Sequence, residues 1–236
     1  MQPNHNYQQY AGQTLNWLPS DTEERFQRNL STHPELLSAA GWDVASIRYE
    51  FNAQGFRSPK FRDTGGVMFL GCSYTCGVGL PIQDVWCNRV ADELGLDWYN
   101  LGIGGSSNDT AFRLGNFWIP ELKPSLVVLL SPMHNRLEIT NHLGDIWDVN
   151  VVGYDFQGPW DLYAQWVSND VNGETQRLRN IMALELVCVR SNCALVSLNI
   201  EDVMAACKEP NDWARDLDHH GKSTHQNIAR YVLDRI

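Results

Sequence analysis

The sequence predicts a three-layer α/β/α sandwich around a mainly parallel sheet, and three observations carry that reading. From Gly66 onward, short apolar runs alternate with segments of helical period, the pattern of repeated βαβ units. The runs themselves, such as Val67-Met68-Phe69-Leu70 and Leu126-Val127-Val128-Leu129-Leu130, are apolar without alternation, as strands covered on both faces are. At 236 residues, with 43% hydrophobic and 19% charged side chains, the chain holds enough apolar material for one sizeable core.

The elements follow in order. Residues up to about Ser20 are polar and unpatterned, which predicts an arm or a strap laid over the domain. Asp21 is placed to cap a helix through Glu24, Phe26 and Leu30, and His33-Pro34 restarts one through Leu37 to Ala40. Ile47 to Phe51 alternates apolar and polar residues as a half-buried strand does, before the turn-forming Asn52-Ala53-Gln54-Gly55. Residues 1–65 thus read as an N-terminal arm, small helices and a first strand packed on a domain of residues 66–236.

Within 66–236 the first strand ends at Gly71, and a helix from Gln83 to Leu94 carries Val85, Trp86, Val90 and Leu94 at helical spacing. Trp98 to Leu101 is the next strand, Ser107 to Leu122 the next helix, and Leu126 to Leu130 the third strand. Residues 136–170 interrupt the rhythm with polar and aromatic residues and are expected to form a loop-rich lid or rim. A helix from Gly173 to Arg190, a strand from Ala194 to Leu198 and a closing helix from about Ser223 complete the reading.

The formal charge of −10 argues against a surface that attracts nucleic acid or anionic lipid. Six cysteines are too few here for a disulfide framework and read as reduced thiols. The first residues lack both a basic leader and an apolar run, and no stretch approaches the ~20 apolar residues of a membrane span, so a cytoplasmic protein is expected.

In open parallel sheets ligands gather at the carboxyl ends of strands. Three polar segments follow apolar runs there: Gly71-Cys72-Ser73-Tyr74-Thr75, Asn100-Leu101-Gly102-Ile103-Gly104-Gly105 and Ser131-Pro132-Met133-His134-Asn135. A fourth, Asp216-Leu217-Asp218-His219-His220, precedes the last helix. A serine nucleophile needs a base, a carboxylate to set the base's tautomer, and donors for the developing oxyanion. All are present: Ser73 at the start of a helical turn, His219 three residues from Asp216, the unobstructed N–H of Gly105 and the amide of Asn135. The glycines at 102, 104 and 105 also suit a tight turn needing positive φ, but they lack the full Gly-x-Gly-x-x-Gly of a dinucleotide cradle.

These segments resemble the sequence blocks of the SGNH (GDSL-like) serine hydrolase superfamily, over roughly Gly66 to Ile236. The resemblance implies a flavodoxin-like sandwich with Ser73, His219 and Asp216 as catalytic triad and the Ser73 and Gly105 N–H groups with Asn135 as oxyanion hole. It also implies an esterase or acyl hydrolase that needs no cofactor and no metal. The sequence departs from the family at Cys72 and Tyr74, and at Met133-His134-Asn135-Arg136, where the family has Gly-x-Asn-Asp; Asn108 is the second candidate for the third-block asparagine. His220 stands where a proline often follows the catalytic histidine, so Asp-x-x-His spacing alone selects His219 over it. Small or saccharide esters are the expected partners. Trp147 and Trp160, in the insertion after Asn135, are candidate substrate contacts by ring stacking. Arg136 and Glu138 are expected to pair at the rim, and His225 to have a structural role. A weakly catalytic binding module and an acyltransferase are the other readings.

Overall fold

The computed structural model of the chain describes residues 3–42, 46–62, 65–140, 146–150, 165–166 and 169–236. The N-terminal part contains β1 (Thr14–Leu15), α1 (Glu23–Thr32), α2 (Pro34–Ala39) and β2 (Tyr49–Glu50). Then come β3 (Val67–Gly71), α3 (Ser73–Cys76), α4 (Trp86–Leu94), β4 (Trp98–Asn100), α5 (Asn108–Leu122) and β5 (Leu126–Ser131). The remainder is β6 (Arg136–Thr140), β7 (Ile146–Asn150), α6 (Asp170–Arg190), β8 (Ala194–Asn199), α7 (Ile200–Cys207) and α8 (Lys222–Leu233).

Four strands make a parallel sheet in the order β4-β3-β5-β8, with Val67 opposite both Trp98 and Leu126, and Leu126 opposite Ala194. Every residue of the central strands β3 and β5 is buried, as their unbroken apolar runs predict; β8, at the edge, is mostly half-buried. The chain steps outward from β3 to β4 and then back past β3 to β5. Right-handed crossovers therefore put α4 and α5 on opposite faces. α5 packs with α6 on one side, and α4 packs with α8, which also contacts α7, on the other. The reversal makes the carboxyl ends of β3 and β5 the topological switch point, where a ligand site is expected.

Several expectations need correction. Asp21 is not the cap of α1: Thr22 is, its hydroxyl accepting from the Arg25 N–H, because Asp21 is drawn inward to Arg215. Within the loop-rich stretch 136–170, β6 and β7 add a feature the reading did not include, an antiparallel hairpin with Leu137 opposite Val149. α7 has no counterpart in the reading; its Ile200, Val203 and Cys207 are buried, but eight residues hold too few turns to show a periodicity. The alternation from Ile47 to Phe51 does appear as burial, with Ile47, Tyr49 and Phe51 inside, yet only Tyr49–Glu50 pairs as strand, antiparallel to Thr14–Leu15. The first residues form a strap: His5, Tyr7 and Leu18 are buried, and the His5 ring stacks 4.2 Å from Phe56. All six cysteines are free thiols. Among the described residues no helix is long and apolar enough to cross a membrane.

Candidate active site

Ser73 opens α3, the single helical turn that leaves β3 at the switch point. Gly71 makes the exit possible: its φ is +152°, and a Cβ there would lie 2.3 Å from Thr75 Oγ1 and 2.7 Å from the Leu130 carbonyl. The Cys72 carbonyl accepts from the N–H groups of Thr75 and Cys76, and the Ser73 carbonyl from those of Gly77 and Val78. The N–H of Ser73 itself lies ahead of these bonds, among the orphan donors that a helix start leaves for a ligand. Ser73 is 7% exposed.

The far end of this turn is held by Arg57, which the sequence reading did not single out. Its buried guanidinium donates to the carbonyls of Cys76 (3.2 Å), Gly77 (2.5 Å) and Leu80 (2.7 Å) and stacks 4.4 Å over the Tyr49 ring. A cation at a helix C-terminus satisfies carbonyls that no intrahelical donor reaches.

The second segment is laced to the first. Leu101 and Ile103 donate to the carbonyls of Phe69 and Gly71, and the Ser106 hydroxyl also donates to Gly71. Asn100 sends its amide to the Thr75 carbonyl at 2.7 Å while its Oδ1 takes the Gly102 N–H at 2.9 Å, so one side chain ties both turns together. Gly105 has φ +77°, and a Cβ there would meet nothing within 4 Å, so the position requires glycine for its backbone conformation. Its N–H makes no backbone hydrogen bond among the described residues. Next to it, a Cβ on Gly104 would come within 2.2 Å of the Tyr7 hydroxyl; the strap therefore packs directly on this loop.

In the third segment Arg177 donates to the Pro132 carbonyl at 3.0 Å, and His134 lies 3.1 Å from Asp170 and 3.2 Å from Glu174, fastening the loop to α6. Asn135 follows, half-buried, with a buried Oδ1 that has no hydrogen-bond partner among the described residues. Asn108 is committed elsewhere: its amide donates to the Pro132 carbonyl at 3.0 Å and its Oδ1 accepts from the Ser131 hydroxyl at 2.7 Å, pinning the end of β5. The expected Arg136–Glu138 pair is absent. Glu138 lies against α5, where Arg113 binds it through two nitrogens at 2.6 and 2.7 Å, a fork that a single rim contact does not match. Arg136 turns instead toward the Ser106 carbonyl.

The fourth segment is a closed loop. Ala214 donates to the His219 carbonyl and Gly221 to the Asp212 carbonyl, both at 2.9 Å, and Leu217 takes a φ of +52° at the bend. Within it Asp216, 1% exposed, accepts His219 Nδ1–H at 2.6 Å on Oδ2 and the N–H groups of Asp218 and His219 on Oδ1. Burial works against the Asp216 charge, but the bonds from His219 and the two backbone donors outweigh it and hold the carboxyl below its usual range. The Asp216, Asp218 and His219 ligand atoms lie within 4.8 Å of one another. Asp216 already spends both oxygens on N–H donors, and His219 Nδ1 faces Asp216, so the set orients an imidazole better than it serves a cation. His220 is placed differently: its ring stacks 5.7 Å from Trp213, and burial lowers its basicity.

The loop meets the segment that follows Ser73. Arg215 donates its N–H to the Gly79 carbonyl at 3.0 Å, the Gly79 N–H donates to the Tyr49 hydroxyl, and the Tyr74 ring sits 5.4 Å from the His219 ring, edge to face. Behind them Arg215 is paired with Asp21 at 2.7 Å, both buried, and Tyr49 also donates to Asp21. Asn29 donates to the Asp216 carbonyl. His225 is buried, accepts the Trp86 N–H and stacks with Tyr74. A cavity of about 550 Å³ bordered by Arg48, Glu50, Ser58, Pro81 and Trp98 includes none of the candidate residues. The backbone of Trp147 lies on β7 opposite Ile139, and Trp160 falls outside the described residues.

Comparison with known proteins finds no matching family model and no matching curated protein. Solved structures do match. An acetyl xylan esterase, Est2A, from Butyrivibrio proteoclasticus is 11% identical with a TM-score of 0.39, over 80% of this chain and 66% of that one. The psychrotrophic esterase EstA from Pseudoalteromonas sp. is 13% identical with a TM-score of 0.40, over 73% and 96%. A member of the lipolytic protein G-D-S-L family from Veillonella parvula is 13% identical with a TM-score of 0.37, over 72% and 97%.

Proposed function

We propose that this chain is a serine esterase or acyl hydrolase of the SGNH type, acting on small carboxylic esters with Ser73 as nucleophile, His219 as base and Asp216 as its orienting carboxylate. The observation that carries the reading is the His219–Asp216 bond at 2.6 Å, with Asp216 buried and satisfied, in a loop clipped to the segment that follows Ser73. An aspartate bonded to Nδ1–H leaves Nε2 as the basic nitrogen and steadies the imidazolium once a proton has moved.

The chemistry proceeds in two halves. His219 takes the Ser73 proton as Oγ attacks the acyl carbonyl; the N–H groups of Ser73 and Gly105 and the Asn135 amide receive the negative oxygen. The tetrahedral intermediate collapses as His219 returns the proton to the departing alkoxide, leaving an acyl-serine. Water, deprotonated by His219, then attacks that ester and releases the acid and free Ser73. No step calls for a metal or cofactor. Short acyl groups, acetyl groups on saccharides included, are the proposed substrate class.

The test is labelling with a fluorophosphonate, followed by peptide mapping, beside turnover of a chromogenic acetate ester. Modification at Ser73 that is lost in His219→Ala supports the assignment. A folded protein that shows neither Ser73 labelling nor Ser73-dependent turnover overturns it.

A further inference from the structure

Helix α6 has two apolar faces, and the fold uses one of them. Gly173, Arg177, Leu184 and Cys188 are buried toward the body of the protein, where α6 packs on α5. On the other side Val171, Leu178, Met182, Leu186 and Val189 are 50 to 75% exposed. These five residues and Thr175 are spaced 4, 3, 4, 4 and 3 apart, an eleven-residue repeat that keeps them on one straight stripe of the helix. A soluble surface carries single exposed apolar residues freely, but a contiguous stripe of this kind marks a contact face.

The charges beside the stripe repeat with the same period. Glu174 and Glu185 border one edge, Arg179 and Arg190 the other. Each arginine lies five residues after a glutamate, too far round the helix for the two to pair within one chain. Arg179, Glu185 and Arg190 form no ion pair among the described residues, while Glu174 is over half exposed at its contacts with His134 and Arg177. When two copies of one helix pack side by side and parallel, the glutamate edge of each faces the arginine edge of the other. Glu174 then meets Arg179 of a second copy and Glu185 meets Arg190. An antiparallel pair would set like edges together.

We infer that the outer stripe of α6 is a self-complementary interface through which two copies of this chain form a parallel, two-fold homodimer. The 21-residue helix is about 31 Å long, enough with its flanking surface for an interface near the lower end of the stable range, about 600 Å² per partner. The inference uses no catalytic residue and is independent of the hydrolase reading.

The test is sedentation by analytical ultracentrifugation of the full chain at micromolar concentration, with circular dichroism to check folding. The expected result is a dimer that Met182→Glu converts to folded monomer, raising the dissociation constant at least tenfold. Glu185→Arg should weaken the dimer, and adding Arg190→Glu to it should restore the association. Leu178→Cys should give an oxidised cross-linked dimer that the parent chain does not, since parallel packing sets residue 178 against its own copy. A parent chain that is monomeric at tens of micromolar overturns the inference, as does a dimer indifferent to Met182→Glu or to the paired charge reversal.

Discussion

At the scale of single residues, Asp216 shows how one side chain is made fit for a role. Its two oxygens accept three N–H groups, so it stays ionised despite burial and holds His219 in one orientation. Asp216→Asn keeps the shape but puts an amide donor where the imidazole N–H must donate. We expect near-native circular dichroism and a kcat for ester hydrolysis lower by about 10⁴-fold, the loss seen when a triad aspartate is neutralised; near-normal turnover would mean that another group orients His219. The buried histidines have a different consequence. Burial lowers His225 to about 3 and His5 to about 4, both below the ordinary value of 6.5. The unfolded chain then binds protons that the folded one refuses, so stability is full above pH 6.5 and is lost as pH falls from there toward 4 and 3. Tm measured from pH 8 to 4 should decline below about 6.5; a flat profile would contradict it.

At the scale of elements, the decisive piece is the short helix α3 and the groups that hold its two ends. Gly71→Ala would drive a methyl group against the Thr75 hydroxyl and the Leu130 carbonyl from a backbone conformation that favours glycine. A loss of about 2–3 kcal/mol is expected in chemical denaturation, with activity falling further because Ser73 is displaced. Arg57→Met leaves three buried carbonyls without their donor. We expect it to cost about 3 kcal/mol and to lower kcat more than it raises KM, as the Ser73 N–H, the proposed oxyanion donor, moves with the turn. Much of α3 was legible from the sequence, since Gly71 and a polar stretch after an apolar strand announce a turn at a ligand-binding edge. Arg57 was not: nothing near it in the chain says that its partners lie about twenty residues away. The β6–β7 hairpin was missed although Arg136–Thr140 alternates polar and apolar residues, because its partner Ile146–Asn150 opens on two apolar residues and breaks the alternation.

At the scale of the whole molecule, the N-terminal part braces the candidate site. Tyr7 reaches Gly104, Asn29 reaches the Asp216 carbonyl, and the buried Asp21–Arg215 pair joins the strap to the loop that carries His219. Asp21→Asn would leave the Arg215 guanidinium buried without its counter-charge. A destabilisation of about 3–5 kcal/mol is the expected outcome in urea titration, whereas a change under 1 kcal/mol would show that the pair is dispensable. The sequence reading placed Asp21 as a helix cap because local rules favour it there. The local rule lost to a cation 194 residues away, which a capping rule does not see.

What the sequence by itself determined was the alternation of strands and helices, the buried character of β3 and β5, the positions of the turns after them and the Asp-x-x-His spacing in the last loop. These depend on residues within a few positions of one another, where periodicity and turn chemistry operate. Tertiary structure alone decided that His219 rather than His220 receives Asp216, that Asn108 is tied to β5 while Asn135 is not, that Glu138 belongs to Arg113, and that Arg57 and Asp21 brace the site. Each of those choices is a competition between partners far apart in sequence, settled by which donor and acceptor the folded sheet brings within about 3 Å.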